Sequence, residues 1–112
     1  MDSILQTITH MIGPDEGYDY FNTDLIIHIN AAFSRLCQLG IGPERPFYIT
    51  GTEEEWSDFI DDPGYMEDVK QYVYLKTRLA FDPPGNSFLV DSMEKQAEKL
   101  EWLLNSVAEV GY

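Results

Sequence analysis

Twenty carboxylates, two histidines and one cysteine are the side chains of this 112-residue chain whose chemistry could be put to use. His10 and His28 have no Cys, His or carboxylate neighbour at metal-ligand spacing, which leaves them as ordinary surface or half-buried histidines. Cys37 lies in an apolar helical pattern, where a buried, inert thiol is expected, and a single cysteine excludes an internal disulfide. Asp58, Asp61, Asp62, Glu67 and Asp68 crowd together in sequence. A calcium loop would need alternating oxygen ligands, a central glycine and a closing glutamate, and that pattern is absent. Paired carboxylates for glycoside chemistry need a sugar cleft and a set separation, and neither can be read from a sequence. The glycines at 40 and 42 lack the lysine and the strand–loop–helix setting of a phosphate cradle. No nucleophile stands beside a base. The expectation is a protein that is not an enzyme, with no catalytic residue, no metal and no cofactor.

Charge is the stronger signal. The chain carries a net charge of -13, and nearly all of it falls before residue 69. Such a surface repels phosphate and argues against tight nucleic-acid binding. Two readings remain open. The acids form a solubilising face, or they form a surface that nucleic acid passes without sticking or that mimics nucleic acid. Glu53, Glu54, Glu55, Asp58, Asp61 and Asp62 are the densest group and the candidates for such a face. No apolar run approaches a membrane-spanning length, and the N-terminus lacks a basic region followed by an apolar one. The expected partners therefore include no membrane.

Residues 1–112 read as one domain with a modest core. Seven Tyr, six Phe and two Trp are a generous supply for it, and surplus rings are expected at interfaces. A first short helix starts at Asp2 or Ser3 and stops at Gly13-Pro14. An acidic aromatic connection, PDEGYDYF, leads to a second helix from Asn22 or Thr23 to about Leu39, ended by Gly40 at C′. Residues 40–51 break the helical period around Phe47-Tyr48-Ile49-Thr50, a short β-prone run. With no second strand candidate, the run has no internal partner for its backbone. It is expected as a loop satisfied by water, or as a segment docking on a neighbouring subunit. Thr52 and Glu55 form a capping-box pattern for a short helix with Trp56, Phe59 and Ile60 on its apolar side.

The remainder organises the fold. Asp62-Pro63 starts a long helix to Phe81, with Met66, Val69, Tyr72, Val73, Leu79 and Ala80 as its inner stripe, interrupted by Lys76 and Thr77. Asp82-Pro83-Pro84-Gly85-Asn86 breaks the pattern, Gly85 giving freedom to turn and Asn86 a cap. Val90, Met93, Ala97, Leu100, Leu104 and Val107 then form an a/d seam. The fold class is all-α: a small bundle of four to five helices with a long C-terminal helical hairpin and one short extended loop segment. Tyr74, Arg78 and Phe81 form a row that could stack nucleic acid, but in so acidic a chain it reads as a helix or subunit interface. Phe88 and Trp102 lie opposite the seam, free for a neighbour.

Val69–Leu104, above all Tyr74-Leu75-Lys76, Phe81-Asp82-Pro83-Pro84 and Leu100-Glu101-Trp102-Leu103-Leu104-Asn105, resembles the head–tail connector (neck adaptor, head-completion) proteins of tailed bacteriophages. Ile49-Thr50-Gly51 and Trp56-Ser57-Asp58-Phe59-Ile60 are similar to the same family. The resemblance implies a structural virion protein in the neck, assembled in the host bacterial cytoplasm. It implies a ring homo-oligomer, commonly a dodecamer, beneath the portal protein. Such a ring extends the channel for double-stranded DNA, which passes without specific contact, and docks the next neck or tail-completion protein. A ring needs two different patches per subunit. Phe47, Tyr48 and Ile49 on the loop and Tyr74, Arg78, Phe88 and Trp102 on the hairpin are the expected contacts, and the six clustered acids the candidates to face the channel. From another class, an acidic nucleic-acid mimic that inhibits a host DNA-binding protein fits the charge of the front half.

Overall fold

A computed structural model of the chain describes residues 3–13 and 21–110. Asp2, positions 14–20 of the acidic connection and the last two residues lie outside that set. Five helices follow one another among the described residues: α1 Ile4–Ile12, α2 Asn22–Gln38, α3 Trp56–Phe59, α4 Pro63–Phe81 and α5 Ser87–Val110. The all-α hairpin bundle is therefore as expected.

α1 is held by its ends. The Ser3 hydroxyl accepts the Gln6 N–H at 3.3 Å, and Gly13 donates to the Thr9 carbonyl at 3.0 Å. A nine-residue helix is marginal alone. It is stapled to the segment before α3: Ile4 N–H donates to the Glu54 carbonyl at 3.0 Å, Ser3 and Glu55 form an isolated bridge, and Trp56 Nε1–H donates to the Thr7 hydroxyl at 3.2 Å. Ile4, Leu5 and Ile8 go to the core.

α2 closes in a Schellman turn. Gly40 takes φ +90°, its N–H donates to Cys37 at 3.0 Å, and Ile41 N–H donates to Leu36 at 3.0 Å. Leu36 and Ile41 are both buried, giving the apolar contact that accompanies the motif. Cys37, expected buried, is half-buried.

Three local expectations shift. The capping pattern before α3 is used three residues later than Thr52–Glu55 suggests. Glu55 is the N-cap, and the Asp58 carboxylate accepts the Glu55 N–H at 2.8 Å. Thr52 stays outside because Glu54 is drawn back onto the preceding loop. On α4 the buried residues are Val69, Tyr72, Val73, Leu75 and Thr77. Leu79 is half-buried and Ala80 exposed, because α4 is covered by α2 on one side and α5 on another. Lys76 stays outside, whereas Thr77, read as an interruption, is wholly buried. At the hairpin joint Gly85 does not need its special freedom: positive φ occurs, among the described residues, at Gly40 and Gly42. The prolines and the Asn86 cap suffice, Asn86 Oδ1 accepting Phe88 N–H at 2.8 Å. Asp62 caps α4 as expected, accepting Gly64 N–H at 2.8 Å.

Candidate functional site

The loop between α2 and α3 turns its apolar side chains inward. Ile49 is 1% exposed. Phe47 is half-buried, its ring centroid 4.9 Å from that of Phe33 and 5.1 Å from that of Phe59. These edge-on and tilted arrangements suit the ring quadrupoles. Tyr48 alone of the three remains outside, at 63% exposed. The backbone of the run does have an internal partner, contrary to expectation. Asn30 on α2 acts as a surrogate strand: its Oδ1 accepts Ile49 N–H at 2.7 Å, and its Nδ2 donates to the Ile49 carbonyl at 3.0 Å. One primary amide offers a donor and an acceptor side by side, which is what an extended residue requires. Asn30 was legible only as a polar residue flanking an apolar helical face.

The acids divide into two classes. Glu54 accepts Thr50 N–H and the Thr50 hydroxyl, both at 2.9 Å, and Gly51 N–H at 3.4 Å. Partial burial pulls its carboxyl upward, but bonds from Thr50, its own N–H and Gly51 outweigh this and hold it below the ordinary 4.5. Asp58 and Asp62 are occupied as helix caps. Glu53, Glu55 and Asp61 are exposed. Asp61 stands on the rim of an apolar hollow lined by Gly42, Pro43, Phe59, Ile60, Asp62 and Pro63. The floor is tightly built: Gly42 takes φ +93°, and a Cβ there would sit 2.4 Å from the Phe59 ring.

On the hairpin, Tyr74, Arg78 and Phe81 are half-buried. Arg78 donates to the Tyr74 hydroxyl at 3.1 Å and to the Asp82 carbonyl at 3.2 Å. Phe81 meets Phe21 edge-on at 5.5 Å, and His28 lies 6.3 Å from the same ring. The row thus serves to close α4 against α2, and only its edges reach solvent.

α2, α4 and α5 are tied by a polar group absent from the sequence reading. Tyr72, wholly buried, donates its hydroxyl to Glu101 Oε2 at 2.5 Å. Arg35 grips the other oxygen through Nε and a terminal nitrogen at 3.4 and 3.2 Å. Burial alone would raise the Glu101 pKa, but the bonds from Tyr72 and Arg35 hold it below 4.5. Burial first, and the bond to Glu101 second, push the Tyr72 hydroxyl well above its ordinary range. This cluster acts as a three-helix tie, and Glu101 also lines a polar hollow with Lys76, Glu94 and Glu98.

The outer face of α5 is different in kind. The seam faces inward: Ala97, Leu104 and Val107 are buried, and Val90, Met93 and Leu100 half-buried. Phe88 is 71% exposed, Leu89 53%, Trp102 72% and Leu103 39%. Phe88, Ser92, Lys95, Lys99 and Trp102 follow at spacings of four and three, one stripe roughly 21 Å long at 1.5 Å per residue. Two shallow hollows run along it, and Gln96 and Lys99 line both. Lys95 pairs with Asp91 at 3.2 Å. The loss sequence reasoning could have found is Leu89 and Leu103, which the inward seam leaves outside.

Among the described residues no group of three His, Cys, Asp or Glu side chains could hold a metal ion, and no helix is long and apolar enough to cross a membrane. No curated protein and no solved structure matches the chain. The family model for phage connector protein, by contrast, matches residues 4–111, from the first turn of α1 to beyond the end of α5. Covering nearly every residue of the bundle, that match establishes that the chain belongs to the phage connector family.

Proposed function

We propose that the protein is a head–tail connector that forms a ring beneath the portal, extends the DNA channel and presents a docking surface to the next neck or tail-completion protein. The observation that carries this reading is the family match over residues 4–111. The apolar outer face of α5 supports it, because a ring subunit must keep large side chains in reserve for its neighbours. In this reading the chain resides in the neck of the virion after assembly in the host bacterial cytoplasm. Tyr48, Phe88 and Trp102 are the expected contact residues, with Tyr74 and Arg78 contributing their edges. Phe47 and Ile49 contribute indirectly by fixing the loop that carries Tyr48.

The acidic side is proposed to face the channel, where like charge keeps DNA moving. Glu53 is the residue to test, since Glu54 is needed by its own loop and Glu55 caps α3. Replacing it by lysine should slow genome ejection from completed particles; unchanged ejection kinetics would remove the channel assignment. The main reading is tested by adding the purified chain to heads that lack it. Restored tail attachment is expected, and failure of the chain to bind portal-bearing heads would overturn it. The nucleic-acid mimic gains less support, because Glu54, Asp58 and Asp62 are already committed to backbone N–H groups.

A further inference from the structure

We propose that adjoining copies of this chain are joined by Trp102 of one copy seated in the hollow lined by Pro43 and Pro63 of the next, with Lys99 against Asp61. The inference rests on the connector reading and names the contact that the ring would use. Two patches carry it. The first is the α5 face, where Trp102 is 72% exposed and Lys99 stands three residues before it, one helical turn away on the same side. The second is the hollow at residues 42–43 and 59–63, which has an apolar floor of Phe59 and Ile60 and a carboxylate rim.

The match is one of shape type and of sign. A flat indole suits an apolar hollow whose lining includes two prolines, and both prolines are exposed. Of the two rim acids, Asp62 is held by Gly64 N–H, which leaves Asp61 to meet the incoming ammonium. The α5 stripe carries Lys95 and Lys99, and Lys95 is paired with Asp91 on its own helix, so Lys99 is the cation offered outward. The two hollows share no lining residue. A contact between them joins two different patches, as a contact repeating from copy to copy around a ring requires. The loop run Phe47–Ile49, the other expected patch, is largely used up inside the subunit, and the hollow beside it takes that place.

Cysteine cross-linking of the full-length chain tests the contact. Lys99→Cys and Asp61→Cys are made separately in a Cys37→Ser background, mixed, and oxidised both at high concentration and on portal-bearing heads. A mixed disulfide between the two variants is the expected product. Its absence in both settings, dimers of Lys99→Cys alone, or cross-links from Lys99→Cys to a head protein would each overturn the proposal. In parallel, Lys99→Glu or Asp61→Lys alone should weaken self-association about tenfold, and the two together should restore it. No recovery in the double variant would count equally against the pairing. Trp102→Ala should weaken association about thirtyfold. If wild-type chain completes heads but the mixed disulfide is missing, the copy-to-copy contact is wrong and the connector reading stands. If the disulfide forms but the chain never binds heads, the contact stands and the connector reading falls.

Discussion

Residues 41–60 and helix α5 both carry large aromatics, and they dispose of them in opposite ways. The first, a loop running into the short helix α3, buries most of them: Phe59 is 3% exposed and Trp56 wholly enclosed, both on α3, and Phe47 packs on Phe33, while Tyr48 stays outside. The regular helix leaves Phe88 and Trp102 more than two-thirds exposed. Helix length and register explain the difference: the single turn of α3 sets Trp56 and Phe59 three residues apart on one inward face. A helix can turn only one stripe inward, and α5 has given that stripe to Ala97, Leu104 and Val107. A loop can aim each side chain separately, provided that its backbone finds partners, and Asn30 and Glu54 supply them. The loop, one of the two expected contact patches, is thus largely part of the core, and Trp102 on the longest helix lies outside.

That contrast can be broken in order of expected effect. Phe33→Ala, which removes the ring shared by Phe47, Trp56 and Phe59, should destabilise the protein by about 4 kcal/mol in chemical denaturation. A loss below about 1 kcal/mol would mean that the loop aromatics do not depend on the core. Asn30→Ala should cost about 2–3 kcal/mol by leaving Ile49 N–H and its carbonyl without partners. Asn30→Asp keeps the acceptor and loses the donor, and should fall between. Gly42→Ala should cost about 2 kcal/mol, from the positive φ and from the Phe59 ring that a Cβ would strike. On the other side of the comparison, Trp102→Ala should shift stability by less than about 0.5 kcal/mol. A substantial loss would show that the exposed ring is held by its own chain.

The tie between the helices gives a pH signature. Glu101 is held below its ordinary value of 4.5, so its contribution is present above that pH and is lost as pH falls through the folded-state pKa. Tyr72 is raised above its ordinary 10.0, so stability declines as pH rises from that value toward the folded-state pKa. Urea midpoints across pH should show both limbs. Tyr72→Phe should flatten the alkaline one, and an unchanged alkaline slope would detach Tyr72 from it.

Much of the fold was readable because its signals are local. Ser3, Asp62 and Asn86 bind N–H groups two or three residues ahead. Gly40 and the paired prolines act on their own dihedrals, and the α5 seam repeats within each turn. The shift of the α3 cap shows the limit of that logic. Thr52 and Glu55 fit the pattern, but Glu54 bonds to Thr50 and Gly51 and changes which residue starts the helix.

The sequence alone determined where α1, α2, α4 and α5 run, where the hairpin breaks and which face of α5 turns inward, since each depends on neighbours within about four residues. Only the tertiary structure decided the rest. Asn30 reaches Ile49 across nineteen residues, Tyr72 reaches Glu101 across twenty-nine, and Arg35 reaches the same carboxylate across sixty-six. Such partners are chosen by packing after the chain has closed on itself, and no periodicity records them. The same packing drew Phe47 and Ile49 inside and left Trp102 out, so the surface available to a neighbour is what remains after the core has been filled.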